Sequence, residues 1–592
     1  MITSKDFPRV DYQPPRLDDD RPKISNILGI DSEAYTTGVP FMLCTSRGEY
    51  FDPKDSPFCF FTDAFWDGLI ASHVNFVVWN LKYDSGAILY HLPQTFLHFF
   101  WETGKATYEY DDTVYKFQYV PHKLLRISCR KRIVNFWEIS QFYRSSLDNA
   151  AEIYLNENKL GMTTKNFSLR YVEIHWKLLL RYCIRDADLT ARLGIYLVDK
   201  LEEFGITASS LYSSASISFK YFCSRTSVVT AWRFWEDDRK ALALASDAYE
   251  GGKFEVTTRG KFTGIEYDIS SAYPYEIANL VDISSATTVH TTEYQPKAVY
   301  GFLDCTITHN TPAHIPCGPM VEGVRIYPNG TFRQTITAPE YLYLRSIGIN
   351  PIVHDAVWFF VKRKRHPYRK IVMDLFKIKS SMKSKDRMLY NIVKVVLNGF
   401  YGKMAQSIEQ PDGSVLVGSG WNPVYASYIT ALTRIKVTKI QNLMKSDCLA
   451  VHTDSVIVKR PLPPEIPTDN ALGNFGFVTE GPGILVACGM YQIGDHPPAF
   501  KGFKAKNGET WTSILSRYPR RKTIPYKIIH VESWLEAQAK NHPSSCINVF
   551  EKSKKRMVLN CDKKRLWPSP IRAVDLLESQ QDSLPKIFMS AT

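Results

Sequence analysis

The segment VHTDSVIV, Val451–Val458, sets one carboxylate, Asp454, at a tight turn between two apolar runs that read as the strands of a hairpin. Far earlier in the chain, Asp268 closes another apolar run, KFTGIEYDIS. Strand ends that share a sheet edge can bring two such acids together, and close carboxylates repel one another until divalent cations neutralise them. The chemistry this implies is two-metal catalysis on a phosphate substrate. Mg²⁺ is the expected ion, because hard oxygen ligands suit a small hard cation, with Mn²⁺ the alternative. In RMLYNIVKVVLNGFYG, between the two acids, Arg387, Lys394 and Asn398 recur at helical spacing on broadly one face, and Tyr401 follows. Such a face offers cations to a triphosphate, and an amide and an aromatic plate to a base pair. Taken singly, each feature reads equally well as a turn aspartate, a solvated basic stripe or a core tyrosine.

A second set of acids lies in the N-terminal half. GIDSEAY places Asp31 and Glu33 at alternate positions facing one side of a strand, WNLKYDSGA supplies Asn80 and Asp84, and YCIRDADLT puts Tyr182 and Asp186 one helical turn apart. Four acids with a tyrosine can hold two cations and orient a water, which is what a nuclease requires.

The elements that must position these groups follow from the wider pattern. A chain of 592 residues that is 44% hydrophobic should divide into several domains. Net charge is +13 and the pI about 9.0, a balance that favours a polyanionic partner such as nucleic acid. The eleven cysteines are dispersed, with no closely spaced pair to bind zinc, and neither a signal core nor a membrane-length apolar run is present. A soluble protein in a reducing compartment is expected, with no membrane partner. The polar, proline-bearing opening reads as an arm ending near Lys23, followed by an α/β unit closing in a long helix from Tyr171 to about Glu203. Helices are expected over Ser214–Val229 and Trp235–Ser246, then the YEGG turn at Tyr249, Gly251 and Gly252. Strand-like pieces fill 285–360, a basic helical stretch runs from Lys362 to about Phe400, and a short hairpin, SIEQPDGSVLVGSG, precedes another helix.

With these residues in place, the chain resembles the family B DNA polymerases, and among them the compact protein-primed group of phages, viruses and linear plasmids. DISSAYP, KVVLNGFYG and HTDS, preceded by YEGG, match that family's polymerase motifs in order. The resemblance implies an α/β multidomain fold, an RNase H-like 3′-5′ exonuclease followed by a right-hand polymerase with palm, fingers and thumb. The expected divisions are an arm at 1–23, exonuclease at 24–205, connecting helices and linker at 206–257, and polymerase at 258–592. Within the last, palm is expected at 258–285 and 404–500, a priming-protein-contacting insertion at 286–360, fingers at 361–403 and thumb at 501–592.

The same resemblance assigns roles. Asp268 and Asp454 would hold two cations at the polymerase site, and Asp31, Glu33, Asp84 and Asp186 two more at the nuclease site, with Tyr182 orienting water. Ser271, Ala272 and Tyr273 would meet the incoming dNTP, Tyr273 excluding a 2′-hydroxyl; Lys383, Arg387 and Lys394 would bind phosphates, and Asn398 and Tyr401 shape the pocket. Asn80, Tyr83, Ser146 and Leu147 would touch single-stranded primer, and Tyr249, Gly251 and Gly252 the DNA near the linker. Tyr491, Lys501 and Lys504 would follow the primer strand, and the run Lys554, Lys555, Arg556, Lys563, Lys564, Arg565 would meet duplex from the thumb. His452 stands where the family usually has aspartate, so polymerisation is expected to survive with altered metal preference. The implied partners are primer-template DNA, dNTPs, a terminal priming protein and a processivity or single-strand-binding protein, in a host-cell cytoplasm or an organelle. Only 51 residues lie between Gly402 and Asp454, which leaves little room for the group's second insertion and suggests reduced or partner-assisted strand displacement. The competing readings are a nucleic-acid-primed polymerase, a ribonucleotide-using primase or RNA polymerase, and an inactive DNA-binding relative.

Overall fold

A computed structural model describes residues 3–14, 23–53, 74–110, 112–129, 132–162, 167–410, 412–500, 508–530, 533–542 and 551–589. The N-terminal half is built on an eight-stranded sheet. Its centre is the strand Ile27–Ala34, paired parallel to Asn75–Val78, which pairs parallel to Arg132–Glu138. The long helix Leu169–Glu203 packs on the central strand, and Gly29 permits the approach: a Cβ there would lie 1.8 Å from the Ala187 carbonyl oxygen. That contact presents the acids of the strand to those of the helix.

A seven-stranded sheet organises the C-terminal half, in the order Lys253–Val256, Cys448–Thr453, Ser455–Val458, Thr258–Ile269, Phe475–Ala487, Met490–Ile493, with Gln580–Asp582 also pairing Thr258–Gly260. The helix Pro423–Met444 supports it and is buried along almost its whole length. Residues 287–360 form a second sheet, Thr287–His290, Ile352–Phe360, Tyr300–His309 and Asn329–Thr337, to which Ile587–Met589 adds a parallel strand. The C-terminal segment thus returns from the thumb-like region to both sheets.

Several expectations from sequence shift. The basic stretch is two helices, Arg369–Met382 and Arg387–Met404, divided where the Asp386 side chain accepts from Leu389 N–H at 2.9 Å and starts a new helix. The first connecting helix stops at Cys223, before the β-branched run around Val228, and the second splits into Trp232–Asp237 and Arg239–Asp247 because Asp238 caps the latter. The described part of the opening arm is docked. Val10–Asp11 pairs with Val415–Val417 of the short hairpin, and Tyr12 packs edge-on against Trp232, Trp235 and Trp421. Among the described residues, no helix is long and apolar enough to cross a membrane.

Candidate active sites

Thr258–Ile269 and the hairpin around Asp454 are neighbours in the C-terminal sheet, with Asp268 opposite Ser455. Ile269 N–H donates to the Asp454 carbonyl at 2.8 Å, which fixes the turn beside the strand end. Burial, then the Asp454 and Glu266 charges, push the Asp268 carboxyl up to about 7, and burial raises Asp454 as well. Asp268 is exposed at the rim of a cleft, where desolvation by the surrounding walls and then the facing charges raise its pKa. A divalent cation would relieve this repulsion, so the donor set fits the two-metal expectation.

The linker strand Lys253–Val256 pairs with the other strand of the hairpin, Lys253 opposite Thr453. Thr453 has a positive φ of 62°, and a Cβ on Gly252 would come within 2.4 Å of its side chain. The second glycine of YEGG is therefore required by close packing on the acid-bearing turn. Tyr249 shares a short hydroxyl–hydroxyl bond with Tyr401, whose ring lies 4.6 Å from that of Tyr273. Gly251 is exposed.

Beside the acids a cavity of about 480 Å³ is lined by Ser271, Ala272, Tyr273, Lys379, Tyr390, Lys394 and Asn398. Ser271 adopts a left-handed backbone, φ 54°, at the start of the helix Ala272–Asn279, and its hydroxyl accepts from Lys379 Nζ at 2.9 Å. Lys379 went unrecognised in the sequence; Lys383, one turn later, and Arg387 are exposed at the break between the two helices and do not line this cavity. Burial and the facing Lys394 lower the Lys379 pKa.

In the N-terminal half, ligand atoms of Asp31, Glu33 and Asp186 all lie within 4.8 Å of one another. Asp84 stands beside them and accepts from Ser32 N–H at 3.0 Å and Ser32 Oγ at 2.7 Å. Burial, then the neighbouring acids, raises Asp31 well above the carboxylate range; burial and Asp186 push Glu33 up to about 8, and burial pushes Asp84 to about 7. Lys159, a lysine with no sequence signal, pairs with Asp186 and lies 5.0 Å from the Tyr182 ring. Burial and Asp186 push the Tyr182 hydroxyl up to about 12.

Other expected contacts are placed less simply. Ser146 caps the helix Leu147–Leu155, accepting from Asn149 N–H at 3.3 Å, and Leu147 is packed in the core. Asn80 is exposed at the start of Leu81–Ile88, and Tyr83 is half-buried near Glu33, Asp84 and Asp31, which raise its hydroxyl pKa after desolvation itself. Tyr491 gives its hydroxyl to Glu266 Oε1 at 2.7 Å. Lys564 and Arg565 turn inward, Lys564 to the Phe254 carbonyl and Arg565 to Glu255 at 2.6 Å, so neither presents its charge to duplex. Arg556 is exposed on Glu551–Val558, the strand that also carries Lys555, while Lys501 and Lys504 fall outside the described residues.

A palm-like sheet bearing two acids, a finger-like helix pair across from them and a thumb-like C-terminal region give the architecture of a right-hand polymerase. Residues 162–416 match the family model "DNA polymerase type B, organellar and viral". The chain is 24% identical over 350 residues to a DNA polymerase of Acidianus bottle-shaped virus, a match covering 57% of this chain and 50% of that protein, so the chain aligns with about half the length of that relative. It superposes on phi29 DNA polymerase complexed with primer-template DNA and incoming nucleotides with TM-score 0.58 at 11% identity, over 86% of this chain and 98% of the other. The phi29 polymerase complexed with single-stranded DNA aligns with TM-score 0.51 at 12% identity, over 79% and 87%. The chain is thus similar to family B DNA polymerases, and among them to phage and viral members.

Proposed function

We propose that this protein is a template-directed DNA polymerase that adds dNTPs to a primer 3′-hydroxyl, proofreads with a 3′-5′ exonuclease of RNase H-like fold, and starts synthesis from a protein primer. The observation that carries the polymerase reading is the meeting of Asp268 and Asp454 at one edge of the sheet, facing a cavity whose far wall carries Lys379 and Lys394. Asp268 and Asp454 would hold the cations, which when bound lower the pKa of the primer hydroxyl and neutralise charge on the triphosphate and departing pyrophosphate. Lys379 and Lys394 bind the phosphates, Ser271 is oriented toward them by Lys379, and the Tyr273–Tyr401 pair floors the sugar and nascent base pair. At the second site Asp31, Glu33, Asp84 and Asp186 hold the nuclease cations, and Tyr182, beside Lys159, orients the attacking water.

The second sheet, 287–360, is the surface assigned to the priming protein. Its place in the chain between DISSAYP and KVVLNGFYG supports this. Purified enzyme given labelled primer-template with dNTPs, and separately a candidate priming protein with one dNTP, tests both parts. Extension together with deoxynucleotide transfer to the protein is expected. Extension alone would leave a nucleic-acid-primed polymerase, and neither activity would overturn the reading.

A further inference from the structure

The acid pair of the C-terminal sheet stands between two cavities. One is the cavity of about 480 Å³ facing Lys379 and Lys394. The other, about 380 Å³, is bordered by Glu266, His452, Tyr491 and His496, and Asp268 and Asp454 line both. If the triphosphate lies against the lysines, in-line attack on its α-phosphate brings the primer terminus from the other side.

Glu266 is two residues before Asp268, on the same face of the strand and about 7 Å along it. This is the relation Asp31 bears to Glu33 in the nuclease strand. The pairing with Phe475–Ala487 slips at this point, Glu266 opposite Thr479 and Tyr267 opposite Phe477, which leaves Val478 as an extra residue bordering both cavities. Bulges of this kind re-aim side chains beside active sites.

Glu266 is only 6% exposed, and a hydroxyl fixes its carboxylate: Tyr491 donates to Oε1 at 2.7 Å. The Tyr491 ring stacks on His452 with centroids 4.9 Å apart, and His452 Nε2 accepts from Gly489 N–H at 3.3 Å. That nitrogen is committed to the backbone. Glu266 borders the cavity that Asp268 and Asp454 also line, where a buried carboxylate is costly unless neutralised, and the hydroxyl that orients it acts as an outer-shell partner does at metal sites.

We propose that Glu266 is a third carboxylate of the polymerase site, holding the divalent cation in the chamber away from the fingers, with Tyr491 as its positioning residue. The inference rests on the polymerase reading above. It is tested by Mn²⁺ binding to the full chain carrying Asp31→Ala, Glu33→Ala and Asp186→Ala, with primer-template DNA and no nucleotide, following the electron paramagnetic resonance signal of free Mn²⁺. Glu266→Gln should weaken binding about tenfold or more, and Tyr491→Phe by less. Thermal melting reports whether each variant is folded; should Glu266→Gln not fold, Glu266→Asp decides in its place, weakened binding supporting the assignment and unchanged binding overturning it. Parental binding in folded Glu266→Gln with loss in Asp454→Asn would remove Glu266 and leave the polymerase reading standing. Unchanged binding in both variants would remove the two together.

Discussion

Gly252 lies against Thr453 so closely that a single methyl group on the glycine would come within 2.4 Å of the threonine side chain. Thr453 immediately precedes Asp454, and the strand that Gly252 opens pairs with the strand that ends at Thr453. The linker between the two halves of the chain therefore sets the height of the turn that carries Asp454.

Gly252→Ala should displace that turn. Overpacking of this kind costs about 1–3 kcal/mol, so primer extension is expected to fall about tenfold or more while degradation of single-stranded DNA stays near the parental rate. Both assays on one preparation check it, and parental extension would show that the turn can move without loss.

Lys379 donates to Ser271 from within the phosphate-side cavity, whereas Lys383 is exposed at the helix break. A hydrogen bond to a charged group contributes about 1.5–3 kcal/mol, so Lys379→Ala should raise the KM for dNTP roughly 10- to 100-fold. Lys383→Ala should change it little. Steady-state kinetics on a primed template would expose the reverse order, which would return the role to Lys383.

At the second site, Asp31→Ala with Asp84→Ala should abolish degradation of single-stranded DNA and spare extension. Lys159→Ala removes the cation that pairs with Asp186 and faces Tyr182, and should lower the nuclease rate about 100-fold. An unchanged rate for the double variant would defeat the nuclease assignment, and for Lys159→Ala would restrict that lysine to packing.

The clustered acids also make stability depend on pH and metal. Glu33 at about 8 and Asp84 at about 7 lie above ordinary carboxylate values, burial being the largest cause at each. A raised folded-state pKa means the fold holds these protons more tightly than the unfolded chain does. Their contribution is present at acid pH, declines as pH rises from the unfolded value near 4, and levels off above about 8. The Tm of metal-free protein should therefore fall between pH 5 and 8, and Mg²⁺ at pH 8 should restore part of it. A Tm rising over that range without metal would contradict the crowding of these acids.

Much of this was legible in the sequence because it depends on local periodicity. Alternation placed Asp31 with Glu33, helical spacing placed Tyr182 with Asp186, and the strand-ending aspartates lie in one sheet. The same alternation relates Glu266 to Asp268, and that signal was open to reading. Lys159 was not legible, since its role arises only when a loop folds back on the long helix, and Lys379 differs from Lys383 by a single turn whose direction depends on where Asp386 breaks the helix. Lys564 and Arg565 look like surface charge until the C-terminal segment is seen to return under the sheet, where Glu255 receives the guanidinium. Docking of the N-terminal strand on the hairpin at Val415 is likewise a pairing of distant short segments that no local pattern announces.

The most direct test is primer extension by Asp454→Asn, in Mg²⁺ and in Mn²⁺, with folding verified by thermal melting. Because Asp454 and Asp268 meet at one sheet edge proposed to hold the cations, the expected result is a loss of about 100-fold or more in both metals, with single-strand degradation retained. Near-parental extension in both metals would contradict the assignment of this edge as the site of nucleotide addition.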